Sequence, residues 1–313
     1  MRRTAVLDVG AHSAALTVVR RPPRAARPPR TRDPADPGLW EIVATRKVRL
    51  KLHRMLTDDD RLSDRGVASV QRAVARALKA APARRPPLAF ATSVIRDAPN
   101  REEIIARVAA ATGTRLRVLP ALEEARLAYV AARRWSGATD RPLLVLDIGG
   151  GTVEIAYGTG HQPLLAMCLP LGARQVTRRW LPEGTAPAHR LRQVREDLRR
   201  ALAEPPGLPA AAPGTRVLAC SKTFAQLARL ARTGDGTRLD LPGLRASADL
   251  LAATEVSRRG ELPGISRHRA EQSLAGALVA EALMDACQAR EVEICPWSTR
   301  EGLLLEHLGL HHP

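Results

Sequence analysis

Aromatic side chains are scarce, at 3% of 313 residues with only two Tyr, two Phe and four Trp. That shortage removes the stacking platforms with which single-stranded nucleic acid or a nucleotide base is usually gripped. No run approaches 18 apolar residues, and the opening MRRTAVLDVGAH has neither an apolar core nor a small-residue cleavage site. A membrane span and a secretion signal are therefore not expected, and a cytoplasmic location is. Cysteine is sparse and scattered: Cys168, Cys220, Cys287 and Cys295 form no C-x-x-C and no paired Cys/His spacing. Zinc and disulfides are set aside in favour of four buried thiols in a reducing compartment. Two familiar phosphate loops are also missing. There is no G-x-x-x-x-G-K-[ST] and no G-x-G-x-x-G, so P-loop and Rossmann sites are excluded.

What is present is a globular composition, 45% hydrophobic and 26% charged, on a chain long enough for two domains with real cores. The net charge of +17, from 49 basic and 32 acidic residues, calls for an anionic partner or a strongly solvated surface. Nucleic acid is disfavoured, because the charge is spread along the chain and no helix carries a basic recognition face. Between Arg20 and Gly38, RRPPRAARPPRTRDPADPG is too rich in proline to hold a ladder strand and reads as a long flexible hairpin loop.

Strand-like and helix-like runs alternate throughout, which predicts an α/β fold. TAVLDVG, AALTVVR and WEIVATRKVRL read as strands. SDRGVASVQRAVARALKA reads as a helix capped by Ser63, and PLAFAT as a strand. NREEIIARVAAATG reads as a helix opened by a capping-box variant, Asn100 with Glu103, and closed at Gly113. LRVLP and LEEARLAYVAARRW supply the next strand and helix. The pattern then restarts at PLLVLDIGGGTVEIAYG, and LLAMCLP, RVLAC and EVEICP follow as strands. KTFAQLARLA, a long ISRHRAEQSLAGALVAEALMDAC and TREGLLLEHLGL follow as helices.

The restart is a repeat. Asp8-Val9-Gly10-Ala11-His12-Ser13 has the layout of Asp147-Ile148-Gly149-Gly150-Gly151-Thr152: an apolar strand, Asp, an apolar residue, Gly, two variable positions, a hydroxyl residue, then another strand. Small residues let consecutive N–H groups approach a phosphate, and Ser13 and Thr152 can add a donor. Asp8 and Asp147 can hold Mg²⁺ beside it. Either loop alone would more simply be a glycine-rich hairpin turn. Two of them, with Glu154 following the second, point to a pair of phosphate loops in related domains facing a central cleft.

These loops resemble those of the ribonuclease H-like superfold shared by actin-like ATPases, sugar kinases and acetate kinases. Within it, five motifs resemble the exopolyphosphatase/guanosine pentaphosphate phosphohydrolase (Ppx/GppA) family: ATSVIRDAPN (91–100), LEEARLAY (122–129), LDIGGGTVEIAYG (146–158), LPLGARQVTRRWLP (169–182) and EVEICPWSTREGL (291–303). SKTFAQLARL (221–230) and EICPW resemble the short two-domain actinobacterial exopolyphosphatases. The resemblance implies two actin-like domains, 1–122 and 123–313, with the final helix (about 299–310) a candidate to pack back on the first. It implies a Mg²⁺-dependent hydrolase that removes terminal orthophosphate from inorganic polyphosphate.

Residue by residue, Glu124 matches the family's catalytic glutamate, which activates the attacking water, and Glu154 the acidic residue that positions water or metal. Asp8 and Asp147, with Glu154, match the metal-side carboxylates. Gly10, Ser13, Gly149, Gly150, Gly151 and Thr152 match the phosphate loops, and Ser221, Lys222 and Thr223 a third phosphate motif. Arg96 and Arg269 match phosphate-neutralising arginines. The chain departs from the pattern at Ala11 and His12, where a hydroxyl residue and an asparagine are usual, at Lys222, and at Ala121-Leu122, where a glycine precedes the acidic run in relatives. Guanosine pentaphosphate stays open as the substrate, as do a weakly active sensor of polyphosphate or an alarmone, a kinase running in reverse, and a homodimer.

Overall fold

The structure is a computed structural model that describes residues 3–21, 38–80, 86–137, 141–231 and 235–310. Residues 22–37, most of the segment read as a hairpin loop, lie outside that set. The chain divides into two compact units, Met1–Glu123 and Glu124–Pro313.

In the first unit, β1 (Arg3–Val9), β2 (Ser13–Arg20) and β3 (Glu41–Arg49) form an antiparallel meander. β4 (Leu88–Ala91) and β5 (Arg117–Val118) then add parallel to β1, giving the order β3-β2-β1-β4-β5. Alternation decides the faces. Ala5, Leu7 and Val9 of β1 and Ala14, Leu16 and Val18 of β2 enter a core with Val67, Val70 and Val74 of α1 (Asp64–Ala80) and Ile104 and Val108 of α3 (Arg101–Thr112). A short α2 (Ser93–Arg96) lies between β4 and α3. Ser63 caps α1 as expected, its Oγ accepting from the Gly66 N–H at 3.3 Å. Gly113 closes α3 at φ 68°. Asn100 does not cap α3. Its amide is buried and exchanges two 3.0 Å hydrogen bonds with the backbone of Leu62, and Glu103 pairs with Arg61 and Arg107. A partner 38 residues away outbids the local cap, which no local pattern reveals.

The second unit repeats the topology. β6 (Leu143–Ile148), β7 (Val153–Gly158) and β8 (Leu165–Leu169) form the meander, and β9 (Arg216–Ala219) and β11 (Glu291–Ile294) add in parallel. An antiparallel edge strand, β10 (Arg238–Asp240), completes the order β10-β11-β9-β6-β7-β8. These two mixed sheets with their helices are the α/β, ribonuclease H-like class that the sequence predicts.

Helices α4 (Ala121–Ser136), α5 (Ala173–Trp180), α6 (Ala188–Ala203), α7 (Ser221–Ala231), α8 (Leu241–Ala253), α9 (Ser273–Ala286) and α10 (Thr299–His307) complete the element list. α9 starts at Ser273, not at Ile265. The polar run 266–272 has no apolar face and forms tight turns, and the helix begins where residues become buried all round. α8 escaped the sequence reading, although Asp240 followed by Pro242 is a helix-start signal and the Asp240 carboxylate accepts from the Gly243 N–H at 2.8 Å. The last helix, α10, meets α4. A Cβ on Gly302 would stand 2.1 Å from the Leu127 carbonyl oxygen, and Arg126 pairs with Glu306.

Candidate active site

The loop after β6 is shaped by the start of α5. Gly149 N–H donates to the Thr152 carbonyl at 2.9 Å, closing a two-residue turn at Gly150-Gly151. The carbonyls of the turn then accept from α5: Gly151 from Gly172 N–H (3.1 Å), Gly149 from Ala173 N–H (3.0 Å), and Gly150 from Arg174 and Gln175 N–H (3.0 and 3.1 Å). These peptides are trans, so each N–H points opposite its carbonyl. The N–H groups of Gly150, Gly151 and Thr152 are thereby turned together away from α5, a row suited to an anion. The contact is close. A Cβ on Gly172 would lie 2.4 Å from Gly151 C and Thr152 N, and one on Gly150 would meet Arg174 Nη1 at 3.2 Å. Gly172 at the start of α5, with Gly150 opposite Arg174, is what lets helix and loop approach.

Beside this loop, Asp147 and Glu154 oppose each other across β6 and β7, and Glu154 opposes Cys168 across β7 and β8. Directly opposed residues share a face, so the two carboxyl groups sit side by side. Glu154 is buried, with Cys168 Sγ 3.8 Å from its Oε1. Burial pushes the Asp147 carboxyl from its ordinary 3.8 up to about 6, against a hydrogen bond from Ser298 and the charge of Arg269. Ser298 Oγ donates to Asp147 Oδ2 at 2.7 Å. Burial also pulls the Arg269 guanidinium below its usual value, with Asp147 acting in the opposite sense. Arg269 reaches this position from the turns at 266–272. Ser298 was not singled out in the sequence, although S-T-R-E before an apolar run is a capping box. That box is formed: Glu301 Oε2 accepts from the Ser298 N–H at 3.0 Å and fixes the residue that holds Asp147.

The third motif separates into three behaviours. Ser221 opens α7 at φ 79°, a strained setting for a non-glycine residue, and its buried Oγ has no hydrogen-bond partner among the described residues. Lys222 is exposed. Thr223 is buried and donates its hydroxyl to the Ile148 carbonyl at 2.9 Å, tying α7 to the end of β6, so that proton is not available to a phosphate. Behind them Cys220 and Cys295 meet at the ends of β9 and β11, and their hydrogen bond, then burial, holds the Cys220 thiol protonated. All four cysteines are free thiols, and Cys168 is only half-buried.

The first unit contains a similar loop. Gly10 N–H donates to the Ser13 carbonyl at 2.9 Å, and the carbonyls of Ala11 and His12 accept from Leu52 and Leu50 N–H at 3.1 and 2.8 Å. By the same trans-peptide argument, the N–H groups of His12 and Ser13 turn away from residues 50–52. A Cβ on Gly10 would lie 3.6 Å from Thr92 Oγ1 and 3.9 Å from Asp8 Oδ1, so both oxygens border the loop. Ala11 is buried, and the His12 ring packs edge-on against His53, centroids 5.1 Å apart. Arg96 closes α2, with Nε 2.9 Å from Asp97 Oδ1. Glu124 stands half-buried in the first turn of α4. The structure thus gathers Asp147, Glu154, the 149–152 loop, Arg269 and Ser298 in one unit, and Asp8, Gly10, Ser13 and Thr92 in the other.

Among the described residues no helix is long and apolar enough to cross a membrane. The sequence is 39% identical to an uncharacterized protein of Streptomyces coelicolor, covering 98% of this chain and 90% of that protein. It is 38% identical to exopolyphosphatase 1 of Mycobacterium tuberculosis, covering 98% and 88%. The fold matches the crystal structure of the Aquifex aeolicus Ppx/GppA family member with a TM-score of 0.78 over 100% of this chain and 99% of that one, at 21% identity. The model of the Ppx/GppA phosphatase family matches residues 34–311. With a family match over most of the chain and relatives of this identity along nearly its whole length, the chain belongs to the Ppx/GppA phosphatase family.

Proposed function

We propose that this protein is an exopolyphosphatase, releasing orthophosphate from the end of inorganic polyphosphate by attack of water. The observation that carries the reading is the row of Gly150, Gly151 and Thr152 N–H groups, turned outward by α5 beside the paired carboxylates Asp147 and Glu154. Such a row holds phosphoryl oxygens without needing a base or ribose to grip, which suits a substrate made only of phosphate. The buried, strained Ser221 hydroxyl is a further donor, and Arg269 and Arg96 are the neutralising cations.

In the proposed reaction Glu124 accepts a proton from water as its oxygen bonds to the terminal phosphorus. The bridging P–O bond breaks and the shortened chain leaves with the bridging oxygen. Little covalent work falls to the protein in such a transfer, so alignment and charge stabilisation supply most of the rate. The residues also fit a divalent cation. Asp147 and Glu154 offer paired oxygen donors, and Asp147 is a buried carboxyl raised by desolvation, a setting in which a bound cation would favour the charged form. Mg²⁺ is commonly bound through one or two carboxylates and otherwise by water and substrate phosphate. Asp147 and Glu154 would hold it, and when bound it supplies charge that offsets the phosphoryl oxygens; Asp8 has the corresponding place in the first unit's own loop.

The test is phosphate release from polyphosphates of defined length, beside guanosine pentaphosphate, with Mg²⁺ and with a chelator. Release from polyphosphate that stops in chelator and returns with Mg²⁺ is expected. Hydrolysis of guanosine pentaphosphate alone would reassign the substrate, and full activity in chelator would remove the metal.

A further inference from the structure

We propose that Lys47 and Arg49 of β3 form a basic subsite for the phosphates that remain on the chain. The inference rests on the polyphosphate reading above and deepens it. Its basis is the register of the first sheet. Asp8 opposes Ala15 across β1 and β2, and Ala15 opposes Lys47 across β2 and β3. One row further along, Ser13 opposes Arg49. Opposed residues and residues two apart share a face, so Asp8, Ser13, Ala15, Lys47 and Arg49 all lie on one side of the sheet. The other side is the core face of Leu7, Val9, Ala14 and Leu16.

Neighbouring strands are about 4.8 Å apart, so Arg49 stands one strand from Ser13 and Lys47 two strands from Asp8, with the small Ala15 between. β3 is the sheet edge, and both basic residues are exposed. Arg49 makes no ion pair among the described residues. Its backbone is held in place by the bonds from Leu50 and Leu52 N–H to the carbonyls of the first loop, so its distance from the outward-turned His12 and Ser13 N–H groups is fixed. A guanidinium binds phosphate oxygens in pairs, so this row suits phosphates of the chain that lie beside the first loop.

Charges on an edge strand also discourage edge-to-edge pairing, and that explanation applies to either face. Arg46 separates the two explanations. It is exposed on the same strand but opposes Leu16, a residue of the core face. A solubility role would treat Arg46 and Arg49 alike, and a phosphate subsite would not.

The experiment measures kcat and KM for phosphate release from tripolyphosphate and from a polyphosphate of several tens of units. It compares the unaltered protein with Arg49→Ala, Lys47→Ala/Arg49→Ala, Arg49→Lys and Arg46→Ala, with thermal melts to check folding. For the long chain, the double variant should raise KM about 3- to 10-fold, the range for two exposed charge contacts. Its kcat and its KM for tripolyphosphate should hold, Arg49→Lys should recover most of the affinity, and Arg46→Ala should change nothing. An equal loss for both substrates, or the same loss in Arg46→Ala, overturns the subsite. If the unaltered protein releases no phosphate from either substrate, the activity reading fails, and equilibrium binding of the long chain decides the subsite alone. Weaker binding in the double variant but not in Arg46→Ala supports it, and unchanged binding overturns it.

Discussion

At neutral pH the Asp147 carboxylate works against the fold that contains it. A group titrating near 6 when folded and near 3.8 when unfolded binds more protons in the folded state between those values, so stability falls as pH rises through that window. The cost at neutral pH is on the order of 2 kcal/mol, discounted from a full conversion because the residue keeps some exposure. Asp147→Asn should therefore unfold at a higher temperature than the unaltered protein at neutral pH in chelator, with the gap closing toward pH 4, while phosphate release is lost. Equal melting temperatures across that range would mean that the carboxylate is not desolvated. Glu124 carries a different expectation. If it is the base, as proposed, its change to Gln should lower kcat about 10²–10⁴-fold with polyphosphate still bound, and unchanged turnover would pass the role to Glu154. The loop residues and carboxylates can be singled out from the sequence as candidates because residue type and spacing carry that signal. Ser298 and the Asn100 amide were not legible in this way, since each meets a partner distant in sequence, across 151 and 38 residues.

At the scale of elements, the contact between α5 and the glycine loop orients the N–H row, and Gly172 permits the contact. Gly172→Ala puts a methyl group within 2.4 Å of loop backbone, where no flexible side chain can give way. Forced overpacking of this kind costs about 1–3 kcal/mol and would move the loop off α5. Reduced melting temperature together with a raised KM for polyphosphate is expected. Gly160→Ala, which meets nothing within 4 Å, is the control and should change neither. A Gly172→Ala variant as stable and active as the unaltered protein would show that α5 does not shape the loop. Most elements were legible because period-2 and helical runs are separated by clear breaks, and Gly113 and Ser63 act where they were placed. The overlong reading of α9 fails for a physical reason. No proline or glycine interrupts 266–272, so no stop signal separates it from α9, but that run has no apolar face to bury, and tight turns there bring Arg269 within electrostatic reach of Asp147 instead.

At the scale of the whole molecule, the duplicated Asp-x-Gly loop announced the duplicated sheet, and the order of meander followed by parallel strands recurs in both units. What the repeat could not show is which face of each sheet carries charge, because that depends on register. The net charge of +17 is the other global property, and it sets the last expectation. A polyanion bound by dispersed cations releases counterions, so its affinity falls with salt more steeply the more phosphates are engaged. Exposed contacts are also screened beyond about 8 Å at physiological ionic strength. Tripolyphosphate engages few of these cations, whereas a long chain can reach exposed residues such as Lys47 and Arg49. Raising salt should therefore raise KM for long polyphosphate more steeply than for tripolyphosphate, and any preference for long chains should fade. In the Lys47→Ala/Arg49→Ala variant the long-chain dependence should flatten toward that of the short substrate. Equal salt dependence at both lengths, or tight processive hydrolysis of very long chains at high salt, would contradict this. Long-chain affinity would then come from buried contacts rather than from the exposed cations.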